Sequence, residues 1–392
     1  MKVLICNVGS TSLKYKLFDM ETESVLASGV AERVGSNMGR FIVTSPGTPV
    51  QEDVAFPSHK EAIERMLREL LSGVLGSLSE LSCVGFKVVH AKGVSGVQFL
   101  TDDVLQKMED FNTVAPAHNP PYLAAIRQFR ALLPETPLIG AFETAFHQTM
   151  PPEAYLYSLP AELCRRHAIR RYGFHGASHE YLSTWVSEAM ERNDLKIVSC
   201  HLGGSGSLCA VKDGKSIDTT MGLSLQCGVM HNNRCGDIDP FIIFYLAEDL
   251  GMSLDEIKHL LQKESGFYGM SGGVSNDLRD VEAAANAGNE DALNAILSYC
   301  YSIKKYIGAY AAAMGGLDVI VFGGGIGLRS ATVRAMSLAG LEFLGVRLDG
   351  QKNRTAVSGT DISLPGSPVR IFVVETDEEI VVARKAAGLL QA

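Results

Sequence analysis

The 392-residue chain predicts a mixed α/β protein built from two similarly folded halves, on three observations. Its length exceeds the roughly 250 to 300 residues at which a single hydrophobic core stops growing. An internal repeat opens each half: "KVLICNVGSTSLKYKLFDMET" (Lys2 to Thr22) and "KIVSCHLGGSGSLCAVKDGKS" (Lys196 to Ser216) share a lysine, an apolar strand containing Cys, a glycine turn, Ser-Leu and a second strand. After each hairpin, helical and strand-like patterns alternate, which implies mixed sheets flanked by helices on both faces.

The elements follow in order. "SHKEAIERMLRELLSGVL" opens with a capping box, Ser58 to Glu61, and carries apolar residues at helical spacing. "CVGFKVVH" reads as a strand, "PYLAAIRQFRALL" as a helix and "PLIGAFET" (Pro137 to Thr144) as a strand. The second half gives helices over 239–250, 253–262 and 291–314, then strands at "DVIVFGG" and "VRIFVVET" (Val369 to Thr376). Two such domains facing each other would leave a central cleft, where ligands of α/β proteins sit.

Composition narrows the function. A net charge of -9 and the absence of a basic tract disfavour nucleic acid, whose phosphates require clustered Lys and Arg, and favour a small ligand. The eight cysteines form no CxxC pair, which suits a reducing, cytoplasmic setting. The apolar run Val3 to Cys6 is too short for a secretory core. The most hydrophobic zone, Tyr306 to Gly327, is broken by Gly315-Gly316 and Asp318 into pieces too short to cross a bilayer, so no membrane partner is expected.

Three turns rich in Gly and Ser follow buried strands: Gly9 to Ser12, Gly203 to Ser207 and Gly323 to Gly327. Glycine admits a ligand close to the backbone, and exposed N–H groups attract phosphate oxygens. None has the Walker spacing, so the design differs from a P-loop. A second cluster is ionic: "RRYGFHG", "NNRCGDIDP", "GFKVVHAKG" and "GAFETAFH" each set a charged or imidazole group at a strand end or beside glycine. Cations with a carboxylate-held Mg²⁺ are what phosphoryl transfer needs. A carboxylate of "ETDEE" (Glu375 to Glu379) could share metal duty with Glu143; the plainer alternative is an acidic helix N-terminus.

The stretches "NVGSTSLKYKLFD", "APAHNPP", "FETAFHQTMP", "IRRYGFHGASH", "CHLGGSGSLCAVKDGKSIDTTMG", "RCGDIDP", "KKYIGAYAAAMGGLDVIVF" and "LEFLGVRLD" together resemble the acetate and propionate kinase family from the first strand to the last helix. The resemblance implies duplicated actin-like (ribonuclease H-like) domains, here 1–147 joined by a C-terminal helix 379–392, and 148–378. It also implies a homodimer and reversible transfer of the ATP γ-phosphoryl group to acetate, giving acetyl phosphate and ADP, with Mg²⁺ or Mn²⁺. Carried over by position, Asn7 and Glu378 would bind metal, while Ser10, Ser12 and Lys14 would lie near the transferring phosphate. His175, Arg234, Glu143 and Lys14 would be catalytic. Lys87, His118, Phe174, Ala117 and Leu225 would meet the acid. His201, Leu202, Gly203, Gly204, Ser205, Asp277, Leu278, Arg279, Gly325, Ile326, Gly327, Leu328 and Arg329 would hold the nucleotide.

The chain also departs from that family. Lys87 replaces an arginine and lacks its bidentate fork, which should weaken carboxylate binding. Glu143 replaces an aspartate and shifts its carboxylate by about a bond length in a site sensitive to 1 Å errors. Leu328-Arg329 alters the adenosine side, while Leu225 for proline and Ala117 for leucine reshape the acyl pocket. Two further readings stay open: a kinase for propionate or butyrate or with another donor such as GTP or pyrophosphate, and a nucleotide-binding module without turnover.

Overall fold

A computed structural model describes residues 1–45 and 49–392. The chain divides into two compact units: residues 1–148, 165–168 and 377–392 form the first, and residues 149–164 and 169–376 the second.

The strands of the first unit are β1 (Lys2–Val8), β2 (Ser12–Asp19), β3 (Ser24–Glu32), β4 (Arg40–Thr44), β5 (Val50–Asp53), β6 (Leu81–Val88), β7 (Val97–Phe99) and β8 (Leu138–Phe142). They form one sheet in the order β5-β4-β3-β2-β1-β6-β8-β7. β1 pairs antiparallel with β2, from Lys2 opposite Asp19 to Val8 opposite Leu13, and parallel with β6. In β2 the pleat buries Leu13, Tyr15 and Leu17 and turns Lys14 and Lys16 the other way, the period of two expected of a strand with one apolar face. The helix His59–Gly73 carries the expected capping box and buries Ala62, Ile63, Met66, Leu67 and Leu70, one stripe at helical spacing.

The helix Glu378–Gln391 belongs to this unit although it follows the whole of the second. It lies on β1 and β6, close to Gly85. A Cβ there would stand 2.6 Å from Ile5 Cδ1, which would have to shift, and in ordinary contact 3.5 Å from Ala386 Cβ.

The second unit contains β9 (Lys196–Leu202), β10 (Gly206–Lys212), β11 (Lys215–Thr219), β12 (Val319–Gly323), β13 (Thr360–Asp361) and β14 (Arg370–Val373), in the order β11-β10-β9-β12-β14-β13. β9 pairs antiparallel with β10 and parallel with β12, which pairs parallel with β14. The series β3-β2-β1-β6-β8 and β11-β10-β9-β12-β14 therefore repeat one topology, that of duplicated actin-like domains.

The long helix Glu290–Met314 starts where the Asn289 side chain accepts from Ala292 N–H and stops at Gly315, whose φ of 69° suits glycine. Its inner face, including Ile296, Tyr299, Ile303, Ile307 and Tyr310, joins the core with Val198, Leu208, Ile320 and Phe322. The third glycine segment differs from expectation. It is not a plain turn, because Gly324–Arg329 forms a short helix directly after β12. Gly324 must be glycine twice over: its φ is +74°, and a Cβ would lie 2.5 Å from the Leu202 carbonyl oxygen. Among the described residues, no helix is long and apolar enough to cross a membrane.

Candidate active site

In the first unit, the hairpin register sets Asn7 opposite Lys14, so both side chains leave the same face of the sheet. Lys87 follows directly after the Cys6–Phe86 pair on the neighbouring strand. The Tyr122 hydroxyl donates to Asn7 Oδ1 at 2.9 Å and so fixes the amide. Lys87 Nζ stands 2.5 Å from Glu378 Oε2 and 2.9 Å from Glu143 Oε1. Burial pulls the Lys87 pKa down, but the Glu143 and Glu378 carboxylates outweigh it and hold the ammonium well above the usual lysine value. Burial likewise pushes the Tyr122 phenol above its ordinary range.

The turn after β1 is closed by Gly9 N–H donating to the Ser12 carbonyl at 2.9 Å, and it leaves Ser10 and Lys14 exposed. His118 stands at the N-terminal boundary of the helix Asn119–Leu132, with Ala117 exposed just before it.

In the second unit, His175 sits at the head of the helix Gly176–Met190 with φ 57° and ψ 28°, a left-handed conformation that a non-glycine residue holds only when its surroundings enforce it. Its Nδ1 lies 2.9 Å from Ser207 Oγ, and His179 Nε2 lies 2.7 Å from the same oxygen. His179 Nδ1 reaches Ser199 Oγ at 2.9 Å, and His201 Nδ1 reaches Ser178 Oγ at 2.6 Å. The His175 and His201 rings lie 4.3 Å apart, so a ladder of imidazoles and hydroxyls sets both orientations. Phe174 beside it is fully buried.

Arg234 occupies a loop pinned from two sides. Asn232 N–H donates to the Gly204 carbonyl at 2.9 Å, and Phe267 N–H donates to the His231 carbonyl at 2.9 Å. Arg234 Nη1 donates to the Leu225 carbonyl at 2.5 Å. Burial lowers the Arg234 pKa to about 10, which leaves it charged at neutral pH. A desolvated guanidinium held by a carbonyl instead of a carboxylate is suited to an incoming anion.

A cavity of about 330 Å³ gathers segments far apart in sequence: Gly203-Gly204, Asp277 to Arg279, and Gly325-Ile326 with Arg329. Asp277 caps the helix Leu278–Asn286 and is held at a pKa of about 2 by hydrogen bonds from the Arg279 side chain and backbone. His201, Leu202, Ser205, Gly327 and Leu328 are not on this lining; Leu202 is in the core. Asn232, Phe267, Asn276, Glu282 and Ser330 are on it and were not foreseen. Of these, Asn232 lay within reach, since it stands in the ionic stretch "NNRCGDIDP" two residues before Arg234.

The sequence profile of the acetokinase family matches residues 2–384. The chain belongs to that family. Among relatives of this acetokinase-family chain, an acetate kinase of Clostridium botulinum (strain Langeland) is 44% identical over 391 residues, 98% of each chain. A crystal structure of Porphyromonas gingivalis acetate kinase matches with a TM-score of 0.89 and 40% identity over 99% of both chains. One of a propionate kinase from Francisella tularensis matches with a TM-score of 0.90 and 34% identity over 98% of both. The duplicated α/β fold of this acetokinase-family chain is thus that of the acetate and propionate kinases.

Proposed function

We propose that the chain is a phosphotransferase that moves the γ-phosphoryl group of ATP to acetate, reversibly, by direct in-line displacement. A carboxylate oxygen of the acid forms the new bond to phosphorus, and the bond to the bridging oxygen breaks with its electron pair leaving on ADP. The observation that carries this reading is Arg234, a half-buried cation aimed by a carbonyl, on a loop whose Asn232 also lines the glycine-walled cavity.

Arg234 and His175 meet the transferring group, and the Ser207 hydroxyl keeps the His175 ring in place. Lys14, Ser10 and Ser12 add donors on the phosphate side. The cavity holds the nucleotide, and His201, Leu202, Ser205, Gly327 and Leu328 flank its lining residues along the chain. Lys87, His118, Ala117, Phe174 and Leu225 shape the place of the acid.

Among the described residues, no cluster of three or more His, Cys, Asp or Glu could hold a metal. Mg²⁺ or Mn²⁺ in a kinase takes one or two carboxylates and completes its shell with water and phosphate oxygens. The Asn7 amide oxygen and the Glu378 carboxylate are hard donors of the required kind, with Glu143 beside Glu378 on the same ammonium. When bound, the ion supplies charge neutralisation to the phosphates. All eight cysteines are free thiols, as a cytoplasmic location requires.

Incubation with ATP, Mg²⁺, acetate and hydroxylamine should yield acetohydroxamate. Absence of hydroxamate from every short acid, whether ATP, GTP or pyrophosphate is supplied, would leave a nucleotide-binding module without turnover. The likeness to a propionate kinase and the open ground at Ala117 favour propionate as the second acid, so the assay is run as a series of kcat/KM values.

A homodimer is the proposed assembly. Phe241, Phe244 and Tyr245 of the helix Phe241–Glu248 are 74%, 54% and 56% exposed, and no residue of that helix is buried, so the chain offers an apolar face that a second copy would cover. Light scattering should give twice the chain mass for the native protein and the single-chain mass for Phe241→Glu/Phe244→Glu; a monomeric native protein refutes it.

A further inference from the structure

Arg334 is 2% exposed and is among the largest fully buried side chains of the molecule. Its guanidinium makes four hydrogen bonds, none to a carboxylate. Nε donates to Asn353 Oδ1 at 2.7 Å and Nη2 to the Asn353 carbonyl at 2.7 Å. Nη1 donates to the Gly327 carbonyl at 2.7 Å and to the Leu328 carbonyl at 2.8 Å. Asn353 in turn donates from Nδ2 to the Ala331 carbonyl at 2.9 Å. One side chain thus fastens the helices Gly324–Arg329, Ala331–Leu338 and Gly350–Arg354.

A hydrocarbon would fill the same space without the cost of desolvating a cation, so packing alone does not account for this residue. What the fork adds is direction, with three of its four bonds going to main-chain carbonyls. Two of those carbonyls, at Gly327 and Leu328, lie directly behind Gly325 and Ile326 and just before Arg329, all of which line the cavity. Ser330, also on that lining, caps the helix that carries Arg334 and donates at 2.6 Å to Glu282, another lining residue, of the helix Leu278–Asn286.

We propose that Arg334 is a positioning residue for the nucleotide, acting through the Gly327 and Leu328 carbonyls to hold the 325–330 wall at the spacing the ligand requires. The proposal rests on the reading of the cavity as the nucleotide site. It does not require turnover.

The test compares the wild type with Arg334→Lys and Arg334→Met in the whole protein. The readouts are the Kd of a fluorescent ATP analogue, KM for ATP and for acetate, kcat, and the thermal midpoint. Lysine keeps the charge but cannot span the acceptors, so both variants should weaken nucleotide binding and raise the ATP KM by about tenfold, equivalent to ~1.4 kcal/mol. The acetate KM should stay within about twofold and kcat within about threefold of the wild type, changes worth well under 1 kcal/mol. A role confined to stability would lower the thermal midpoint and leave the Kd of the folded fraction untouched, and that outcome overturns the proposal. Should either variant fail to fold, Asn353→Ala removes only the Nε acceptor and the tie to Ala331. A loss of nucleotide affinity there supports the proposal, and an unchanged Kd overturns it. Wild-type protein that binds no nucleotide would instead overturn the reading of the cavity, while wild type that binds nucleotide but yields no hydroxamate overturns only the phosphotransferase reading.

Discussion

Arg234→Ala is expected to cut kcat in the hydroxamate assay by at least about a hundredfold, the usual consequence of removing one preorganised donor from a developing negative charge. The guanidinium is partly buried and its main support is the Leu225 carbonyl, so the structure spends energy to keep it available. For that reason the alanine variant should be no less stable than the parent, and thermal melting run beside the kinetics would show the fall in rate without a fall in midpoint. Lysine at this position restores charge but not the planar fork, so Arg234→Lys should recover only part of the loss. Turnover near the wild-type value in Arg234→Ala would remove the residue from the chemistry.

Lys87→Met carries the largest expected effect on stability. The lysine side chain is 19% exposed, and its partners Glu143 and Glu378 are 6% and 16% exposed. Taking away the ammonium leaves two carboxylates in a poorly hydrated place with their shared counter-charge gone. Breaking a buried pair this way costs about 3 to 5 kcal/mol, which urea unfolding would register as a lower midpoint. The pH dependence follows from the same contact. The ammonium binds its proton more tightly in the folded than in the unfolded chain, so its contribution is complete below about pH 10.4 and drains away as pH climbs through the folded value. Wild-type stability should therefore fall on the alkaline side more steeply than that of Lys87→Met. Parallel alkaline limbs, with equal midpoints at neutral pH, would contradict the pairing.

Much of the framework was readable from residue patterns because the governing forces are local. Period-two burial in β2, the capping box at Ser58 and the apolar stripe of His59–Gly73 need no long-range information. The repeated hairpin was visible because both copies keep a glycine turn between an apolar strand and Ser-Leu. Three strands beyond it, β3 to β5, were missed: they lie towards one edge of the sheet, and β5 is wholly exposed, so no alternation of apolar residues marks it. The helix Gly176–Met190 was missed for the opposite reason. It buries Ser178, His179 and Ser183 along with Leu182 and Val186, so polar residues occupy its inner face and blur the stripe. That helix nevertheless supplies Ser178, the partner of His201, and His179, which shares the Ser207 hydroxyl with His175.

The cavity walled by Gly203-Gly204 and Gly325 shows the other boundary of legibility. Its glycines announce themselves by composition, but Phe267, Glu282 and Ser330 come into it through packing between segments that are distant in the chain. Gly266 illustrates the point. It has φ +63°, and a Cβ there would strike the His231 carbonyl at 2.2 Å, so it holds the Arg234 loop while carrying no mark in the sequence that separates it from other glycines. Likewise, nothing in "FKVVHAKG" or "FETAFH" read singly tells that Lys87 and Glu143 are partners. That requires β6 and β8 to lie side by side.

The helix Glu378–Gln391 has a consequence for biosynthesis. On the ribosome, β1 emerges before the second unit, yet the apolar surface of Ile5 and the groove at Gly85 stay uncovered until a segment encoded beyond the entire second unit has followed. The first unit, though most of it precedes the second in the chain, is therefore completed after it. Its acidic residue Glu378 joins Lys87 only at that closing step, so a nascent chain can acquire a folded second unit well before this ion pair forms.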